Sequence, residues 1–388
     1  MRAKIDPYVD DLPEMDPIVF AEMTEYGWRG LSQQGEVLEV KSANGHQIAI
    51  PESVVVTHDG HPIGRRIVKH ELTVDIDEYL VHFNHAVERY KQGRLGEALV
   101  EAEAAIYLAN TKRAKFNYAM ILLANGQWRS GFEAYWECEQ ELPFMRPQVK
   151  AALDAGLKPW CGEDIKGKKL LVMHAHGFGD TIMCLRFIEI LSIMGADVIL
   201  MVPKEIEPLV GAYPTTQELQ ECDFFCPILH LLYHLRVGPE NVKHGPYIYA
   251  PGQRRSGRKK VGIAWSVGKP SLGDYPRTIE LEELTKWLGN IEVHSLQKQG
   301  KEEAERFGVV THDFKDFMQC ASLMEEMDQI ISVDTAALHL AGAIGHPHVF
   351  GLLSHWSSWR WIAPWYQNVK LCKQTSPGDW HSALIQAR

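Results

Sequence analysis

A short apolar run that ends in a glycine-rich turn constrains the fold of this chain more than any other feature. Residues 168–174 (Lys-Lys-Leu-Leu-Val-Met-His) are typical of a buried strand, and residues 176–180 (His-Gly-Phe-Gly-Asp) supply the turn. A helical pattern of apolar residues follows and ends at Gly195, and residues 197–202 form a second buried run. A strand, a glycine turn, a helix and a strand in this order predict a βαβ unit with parallel strands.

A second block of the same kind occupies the last third of the chain. We expect strands at 260–265, 294–297, 329–333 and 347–351, with a turn at Asp334 and Thr335 and a helix ending at Gly345 before the last strand. The two blocks predict an α/β fold with a GT-B-like pair of Rossmann-like domains, 159–252 and 253–388, joined near residues 251–252. Ligands of such sheets bind at the carboxyl ends of the strands, so we expect a cleft there.

Residues 1–70 are expected to form a small β-rich region. Alternating apolar and polar residues at 36–41 indicate a strand, Asn44-Gly45 is a hairpin turn signal, and residues 47–50 form the returning strand. Residues 58–60 (His-Asp-Gly) mark a further turn. No chemistry is assigned to this region.

Residues 71–145 change to a helical period that repeats after 33 residues. The positions Ala86, Gly93, Leu95, Ala98, Ala102 and Ala105 recur as Ala119, Gly126, Trp128, Gly131, Tyr135 and Cys138. Small residues at fixed offsets let antiparallel helices approach closely, and the pattern resembles the tetratricopeptide repeat in two copies. Two copies are few for a separate solenoid, so a structural role and a partner-binding or self-association role both stay open.

Composition excludes several classes of protein. The chain has 388 residues, a net charge of −10 and a pI near 6.0, whereas a general nucleic-acid-coating protein is normally basic. Its seven cysteines contain no CxxC motif, which is typical of free thiols in a reducing compartment. The first 25 residues lack the apolar core of a signal peptide, and no apolar run reaches the ~18–20 residues of a membrane span. We therefore expect a cytoplasmic protein without a membrane span.

The glycine turn at 176–180 is the first candidate site. Gly177 and Gly179 let a ligand approach the backbone, and the helix N-terminus after them offers free N–H groups. Asp180 has two interpretations. It is either a first-turn acid that stabilises its own helix or a general base that faces the cleft.

The turn at Asp334 and Thr335 is the second candidate site. His339 lies four residues after Thr335 and therefore on the same face of the predicted helix. A helix N-terminus with hydroxyl and imidazole donors can hold a ribose and a pyrophosphate. The alternative is an ordinary capping pair followed by a histidine at the edge of the core.

Two cations flank the loop that follows the 260–265 strand. Lys269 and Arg277 could offset the charge of a departing diphosphate without a metal, although single cations are more often solvated. The basic run at 254–260 is interpreted first as a solvated linker and second as a phosphate- or nucleic-acid-facing patch. A tryptophan cluster, Trp356, Trp359, Trp361 and Trp365, either packs a core or seam or stacks on a sugar or base.

We expect no metal site. Asp75 and Asp77 have the DxD spacing of some metal-dependent transferases, but they precede the first repeat helix, where capping explains them better. His174 and His176 stand at a strand end with no third ligand near in sequence.

Several ordered blocks resemble one known family. The blocks are Pro159-Trp-Cys-Gly-Glu163, Gly177-Phe-Gly-Asp-Thr181 with Leu185-Arg-Phe187, Val261-Gly-Ile-Ala-Trp265, Arg277-Thr-Ile279, Ser295-Leu-Gln297, Asp313-Phe-Lys-Asp-Phe317, Ile331-Ser-Val-Asp-Thr335 with His339-Leu-Ala-Gly342, and Trp359-Arg-Trp361 with Pro364-Trp-Tyr366 and Gly378-Asp-Trp380. Over about residues 74–388 the chain resembles glycosyltransferase family 9, the heptosyltransferase-like group, in the subgroup with N-terminal tetratricopeptide repeats.

The resemblance implies an enzyme that transfers a hexosyl or heptosyl group from a nucleotide sugar to an acceptor hydroxyl, with inversion and without a metal or other cofactor. It suggests Asp180 as the general base. The expected substrate-binding residues are Gly177, Gly179, Lys269, Arg277, Gln297, Asp334, Thr335 and His339.

Two departures from the family pattern leave the acceptor and the sugar open. Ser358 stands where an acid usually precedes the Trp-Arg-Trp block, and His174-Ala175-His176 replaces an acid-Gln pair. The acceptor is an envelope glycan, a protein or a hydroxylated DNA base. The alternative from another class is a non-enzymatic repeat scaffold with an inactive transferase-like domain.

Overall fold

The computed structural model describes residues 20–24, 27–31, 37–40, 55–58, 61–65, 76–141, 147–242, 245–252, 257–267, 277–356, 358–362 and 365–387. The chain divides into two compact units, Met1–Phe144 and Met145–Arg388. Within the ranges above, every helix is too short or too polar to cross a membrane.

The first unit begins with antiparallel strands. They are β1 (Phe20–Thr24), β2 (Gly27–Leu31), β3 (Val37–Val40), β4 (Val55–His58) and β5 (His61–Arg65). β1, β2 and β3 form one sheet, and β4 pairs with β5. The predicted β-rich region and its strand at 36–41 are confirmed. The predicted turn at Asn44-Gly45 and the returning strand at 47–50 lie outside the described residues.

Two helical hairpins complete the first unit. Their helices are α1 (Ile76–Lys91), α2 (Leu95–Leu108), α3 (Lys112–Ala124) and α4 (Trp128–Glu141). Gly93 and Gly126 separate the helices of each hairpin and have φ angles of +75° and +76°, a conformation that favours glycine. The small side chains of Ala86, Ala98 and Ala102 are buried against Ile121. The α-helical prediction is confirmed, and the assignment to tetratricopeptide repeats stays a prediction.

The second unit starts with a four-stranded parallel sheet. Its elements are α5 (Pro147–Asp154), β6 (Lys169–Met173), α6 (Phe178–Cys184), α7 (Ile188–Ile193), β7 (Asp197–Met201), β8 (Thr215–Thr216), β9 (Phe224–Pro227) and α8 (Leu231–His234). The strand order is β8-β7-β6-β9. Apolar side chains of β6 and β9 pack with α5 in the core. The βαβ prediction is confirmed.

The second parallel sheet has five strands. Its elements are β10 (Lys260–Ala264), α9 (Leu281–Leu288), β11 (Glu292–Ser295), α10 (Lys301–Arg306), α11 (Phe317–Glu325), β12 (Gln329–Val333), α12 (Ala336–Ala343), β13 (Val349–Leu353), β14 (Val369–Lys373) and α13 (Trp380–Gln386). The order is β11-β10-β12-β13-β14. Val261, Ile263, Ile331, Val333 and Leu352 lie in one core cluster between the sheet and its helices.

These observations confirm the predicted α/β class, a pair of Rossmann-like parallel sheets preceded by an α-helical segment and a β-rich region. β11 and β13 are displaced by two residues from the predicted 294–297 and 347–351, and one predicted helix is interrupted. The helix after the 176–180 turn is interrupted by a 3₁₀ turn at Leu185–Phe187, between α6 and α7. The guanidinium of Arg186 donates to the Met183 carbonyl at this break (3.0 Å), so it competes for an acceptor that a continuous helix would use.

Candidate functional site

A cavity of about 370 Å³ lies at the carboxyl ends of β10, β11 and β12. Ser266, Gln297 and Thr335, which follow these three strands, form part of its wall. Phe178 and Glu205 from the first Rossmann-like domain close the opposite side. The predicted cleft is therefore present where parallel α/β sheets bind their ligands.

Aromatic side chains connect the two domains at this cavity. The rings of Phe178 and Phe317 lie 5.1 Å apart, and the backbone N–H of Phe317 donates to the Glu205 carbonyl (3.0 Å). Phe314 adds a third phenylalanine to the wall, and Lys298 adds a lysine, whose ammonium group donates to the Lys315 carbonyl (2.9 Å). The cavity thus combines flat apolar surface with a few polar groups, which is the usual composition of a small-molecule site.

Gln297, a predicted binding residue, holds two loops of the cavity wall together. Its Oε1 accepts from the backbone N–H groups of Trp265 (2.9 Å) and Ser266 (3.1 Å). Its Nε2 donates to the Ser266 hydroxyl (2.8 Å) and to the Gln299 carbonyl (3.0 Å). The amide therefore fixes the shape of the wall. It also explains why β11 ends at Ser295, earlier than the predicted strand, because residues 296–297 turn to meet β10.

The turn between β12 and α12 places Thr335 at the cavity. The Thr335 hydroxyl lies 3.1 Å from the Ser332 hydroxyl, and Thr335, Ala336 and Ala337 line the wall. The first N–H groups of a helix have no acceptor within that helix, so this turn brings backbone donors to the cavity. It is the feature that an anion such as a diphosphate requires.

Asp334 and Arg277 are engaged with each other behind this turn. Asp334 is buried, and Arg277 Nη1 donates to its backbone carbonyl (3.2 Å) and lies 3.8 Å from its carboxylate. Arg277 therefore steadies the turn, and neither residue is part of the cavity wall. The other predicted cation, Lys269, lies outside the described residues.

Asp180 lies in the first turn of α6, after Gly177 at the helix N-cap. Its carboxylate forms an ion pair with Arg360 of the second domain, in which Nε donates to Oδ1 and Nη2 donates to Oδ2 (3.0 Å). Only 7% of Asp180 is exposed. Phe178, two residues earlier, lines the cavity, so the turn that carries Asp180 adjoins the cavity while its carboxylate faces Arg360.

Burial and Arg360 act on the pKa of Asp180 in opposite directions. Burial, the largest single cause, would raise it, but the positive charge and the hydrogen bonds of Arg360, with smaller contributions from His176 and His339, lower the pKa below its ordinary value. Asp180 is consequently an ionised carboxylate at neutral pH.

His339 packs between the two domains. Its ring stacks on Trp361 with centroids 4.4 Å apart, and its Nδ1 lies 3.0 Å from the Tyr366 hydroxyl. Burial lowers the pKa of His339 to about 4, so the imidazole is neutral. His339 does not form part of the cavity wall, and its predicted role toward the donor stays a prediction.

Gly179 allows α6 and α12 to approach closely. A Cβ at this position would lie 2.7 Å from Cδ2 of His339 and 3.6 Å from Cα of Ala336. Since Ala336 lines the cavity, the first turns of the two helices meet at its edge. The structure thus brings together Gly177, Gly179, Asp180, Thr335 and His339 at the junction of the domains.

Two arginines at this junction were not among the predicted site residues. Arg360 pairs with Asp180 as described. Arg186 is buried, and it donates to the Trp365 carbonyl (2.7 Å) and the Tyr247 hydroxyl (3.2 Å). Both arginines stand inside sequence blocks quoted above. The sequence blocks were the signal for these arginines, but they did not identify the residues that the arginines contact.

Three of the four tryptophans of the cluster pack in the core or seam, as one of its two interpretations predicted. Trp359, Trp361 and Trp365 are all buried, and the ring of Trp361 stacks on His339. In the part of the chain that the structure describes, no group of three or more His, Cys, Asp or Glu side chains is arranged to hold a metal ion. Asp75 of the DxD pair lies outside that part.

Comparisons with known proteins give distant similarities. No protein-family model matches the chain. Protein FlbA of Caulobacter vibrioides is 24% identical over an alignment of 426 residues. The alignment covers 92% of this chain and 70% of FlbA. A crystal structure of a glycosyl transferase family 9 protein from Veillonella parvula aligns with 55% of this chain and 88% of its own, at 9% identity and a TM-score of 0.39. An O-GlcNAc transferase variant from Thermobaculum terrenum aligns with 82% of this chain and 90% of its own, at 11% identity and a TM-score of 0.27. Similarities of this size do not assign the chain to a family.

Proposed function

We propose that this protein is a glycosyltransferase that moves a sugar from a nucleotide sugar to an acceptor hydroxyl. One observation carries the proposal: a cavity at the carboxyl ends of a parallel sheet, bordered by the N-terminus of α12, adjoins a helix turn that carries the carboxylate of Asp180. The cavity supplies a nucleotide site, and the carboxylate supplies a base at the domain junction. The proposed transfer therefore needs residues of both domains, a nucleotide site from the second and a base from the first.

The proposed reaction is a single inverting displacement without a metal. The acceptor oxygen forms a bond to the anomeric carbon, the bond from that carbon to the diphosphate oxygen breaks, and the diphosphate leaves with the bonding electrons. Asp180 takes the proton of the acceptor hydroxyl. One carboxylate is enough, because the diphosphate is a weak base and needs no acid to leave. Backbone N–H groups at the start of α12 stabilise its charge.

The two hydrogen bonds from Arg360 are compatible with this role. A carboxylate has two oxygens with about four lone-pair sites, and the pair with Arg360 uses one site on each oxygen. An acceptor hydroxyl that enters the junction can donate to a second site. Because Asp180 is ionised at neutral pH, it can accept that proton throughout the neutral range.

A thermal-shift panel of nucleoside diphosphates and nucleotide sugars tests the nucleotide site. A ligand at 100 times its Kd stabilises a protein by about 2.7 kcal/mol, so a cognate nucleotide should raise the Tm and its base should identify the donor. In Gln299→Trp, a large ring at the exposed cavity wall should abolish the shift. Lys301→Trp, at the exposed first residue of α10 and not part of that wall, should keep it. Absence of a shift with every nucleotide would contradict the proposal and favour the non-enzymatic scaffold.

The identified donor then allows a transfer assay with three arms: an envelope glycan, a protein and a DNA that contains hydroxylated bases. Mass spectrometry should find the sugar mass added to one acceptor class. Donor binding without transfer in any arm, and without slow donor hydrolysis, would indicate a nucleotide-binding scaffold instead of an enzyme.

A further inference from the structure

The ion pair between Asp180 and Arg360 joins residues that are 180 positions apart and lie in different Rossmann-like domains. Two different guanidinium nitrogens donate to the two different carboxylate oxygens. Such two-pronged geometry fixes the plane of the carboxylate as well as its position. A lone positive charge at the same distance would fix only the position.

The local structure holds the guanidinium in place. Arg360 lies in a 3₁₀ turn, Trp359–Trp361, and the Ser358 hydroxyl accepts from its backbone N–H (3.3 Å) and from Nη1 (3.2 Å). The central carbon of the guanidinium lies 4.7 Å from the ring centroid of Trp359. The Ser358 hydroxyl and the Trp359 ring therefore orient the guanidinium where it meets Asp180.

We infer that Arg360 is a positioning residue that sets the orientation and the ionised state of the Asp180 carboxylate from across the domain junction. The inference rests on the proposed function in that Asp180 is the base. It adds that the second domain completes the base. Proton transfer then depends on Arg360, which contacts the Asp180 carboxylate but is not part of the cavity wall.

Other titratable groups face Asp180, and Arg360 differs from them. His174, His176 and Cys184 belong to the same strand, turn and helix as Asp180, and His339 faces it from α12. Burial lowers the pKa values of His174 and His339 and raises that of Cys184, so these three groups are uncharged at neutral pH. Loss of Arg360 removes the two largest influences that lower the pKa of Asp180, and burial, the largest influence of all, raises it.

The decisive experiment measures kcat/KM against pH for the full chain and for Arg360→Gln. The wild-type profile should stay flat toward low pH until Asp180 is protonated. In Arg360→Gln the acidic limb should move upward by about 1 to 3 pH units, the usual influence of a paired arginine on a carboxyl. Arg306→Gln removes an exposed arginine of α10 and should leave the limb in place. An unmoved limb in Arg360→Gln would show that the pair is only a structural link between the domains.

Two further variants separate geometry from charge. Arg360→Lys keeps the charge but not the two-pronged contact. The acidic limb of its pH profile should therefore lie close to that of the wild type, while kcat falls with little change in donor KM. Ser358→Asp places a carboxylate beside Nη1, where it should share the guanidinium and move the limb upward. A limb in Ser358→Asp that matches the wild type would contradict the inference.

A direct titration distinguishes this inference from the proposed function. Carbon-13 NMR of labelled aspartate carboxyls, with the Asp180 signal assigned by its loss in Asp180→Asn, reports ionisation without turnover. A low wild-type midpoint that rises in Arg360→Gln supports the control of Asp180 by Arg360 even if no sugar is transferred. Equal midpoints in both proteins overturn it even if transfer is robust.

Discussion

At the scale of single residues, burial and a long-range partner decide what each titratable group of the junction can do. Asp180 and His339 are both almost completely buried. Asp180 stays charged because an arginine from the other domain is paired with it, whereas His339 stays neutral because burial dominates. The sequence correctly placed Asp180 at a strand-to-helix turn and His339 on the helix that follows the Asp334-Thr335 turn. It could not supply their partners, because Arg360 lies 180 positions from Asp180 and Tyr366 lies 27 positions from His339.

The first prediction concerns the pH dependence of stability. The ordinary pKa of His339 is 6.5 and its folded pKa is about 4, so between these values the unfolded chain binds more protons than the folded chain. Stability therefore falls as pH is lowered through this window, by about 1 to 3 kcal/mol from this residue. His339→Phe keeps a ring on Trp361. Denaturant unfolding of this variant should show a smaller loss of unfolding free energy between about pH 7 and about pH 4.5 than the wild type shows.

His234 remains in that variant and its pKa is also lowered to about 4 by burial, so part of the loss should persist. Exposed His381 gives a matched control, since His381→Phe should keep the wild-type loss. A His339→Phe protein with the full wild-type loss would contradict the neutral, buried assignment.

At the scale of elements, the apolar runs and glycine turns predicted the strands of both parallel sheets that position the site. β6, β7, β10 and β12 lie within their predicted ranges. The misplaced boundaries have tertiary causes. The helix after Asp180 breaks where Arg186 donates to a helix carbonyl, and β11 ends early because the Gln297 amide is drawn to the end of β10. The local pattern of apolar residues carries no information about either hydrogen bond.

The second prediction tests the close approach of α6 and α12. In Gly179→Ala the new methyl group would meet His339, and overpacking of this kind costs about 1 to 3 kcal/mol. Turnover of Gly179→Ala should fall as well as its stability, since the helix turn that carries Asp180 must shift. Gly257→Ala is the matched control, because a Cβ there meets nothing within 4 Å and its effect should stay within about 0.5 kcal/mol. Unchanged stability and turnover in Gly179→Ala would show that the approach is unimportant.

At the scale of the whole molecule, both parallel sheets and the cavity belong to the unit Met145–Arg388. The helical hairpins and the antiparallel strands belong to the other unit, so the proposed site lies in a different unit from the helical hairpins. The proposed function assigns sugar transfer to the unit Met145–Arg388, and a structural or partner-binding role stays a prediction for the helical hairpins.

The third prediction is that residues 145–388 fold alone and bind the cognate nucleotide. Domains with their own core fold independently, and this fragment contains a core cluster for each of the two parallel sheets. Its circular dichroism should show a cooperative transition, and the nucleotide should raise its Tm as much as that of the full chain. A fragment that is soluble but gives no shift would place part of the nucleotide site in the first unit.

The most direct test of the central claim compares Asp180→Asn with the wild type in two measurements on the same samples, nucleotide-sugar affinity by calorimetry and transfer rate at saturating donor. The asparagine keeps the size of the side chain but cannot accept the acceptor proton. We expect donor affinity within about a factor of 3, because the cavity wall does not include Asp180, and a transfer rate lower by roughly 10²-fold or more. A variant that transfers sugar at the wild-type rate would remove Asp180 from the chemistry and contradict the proposed mechanism.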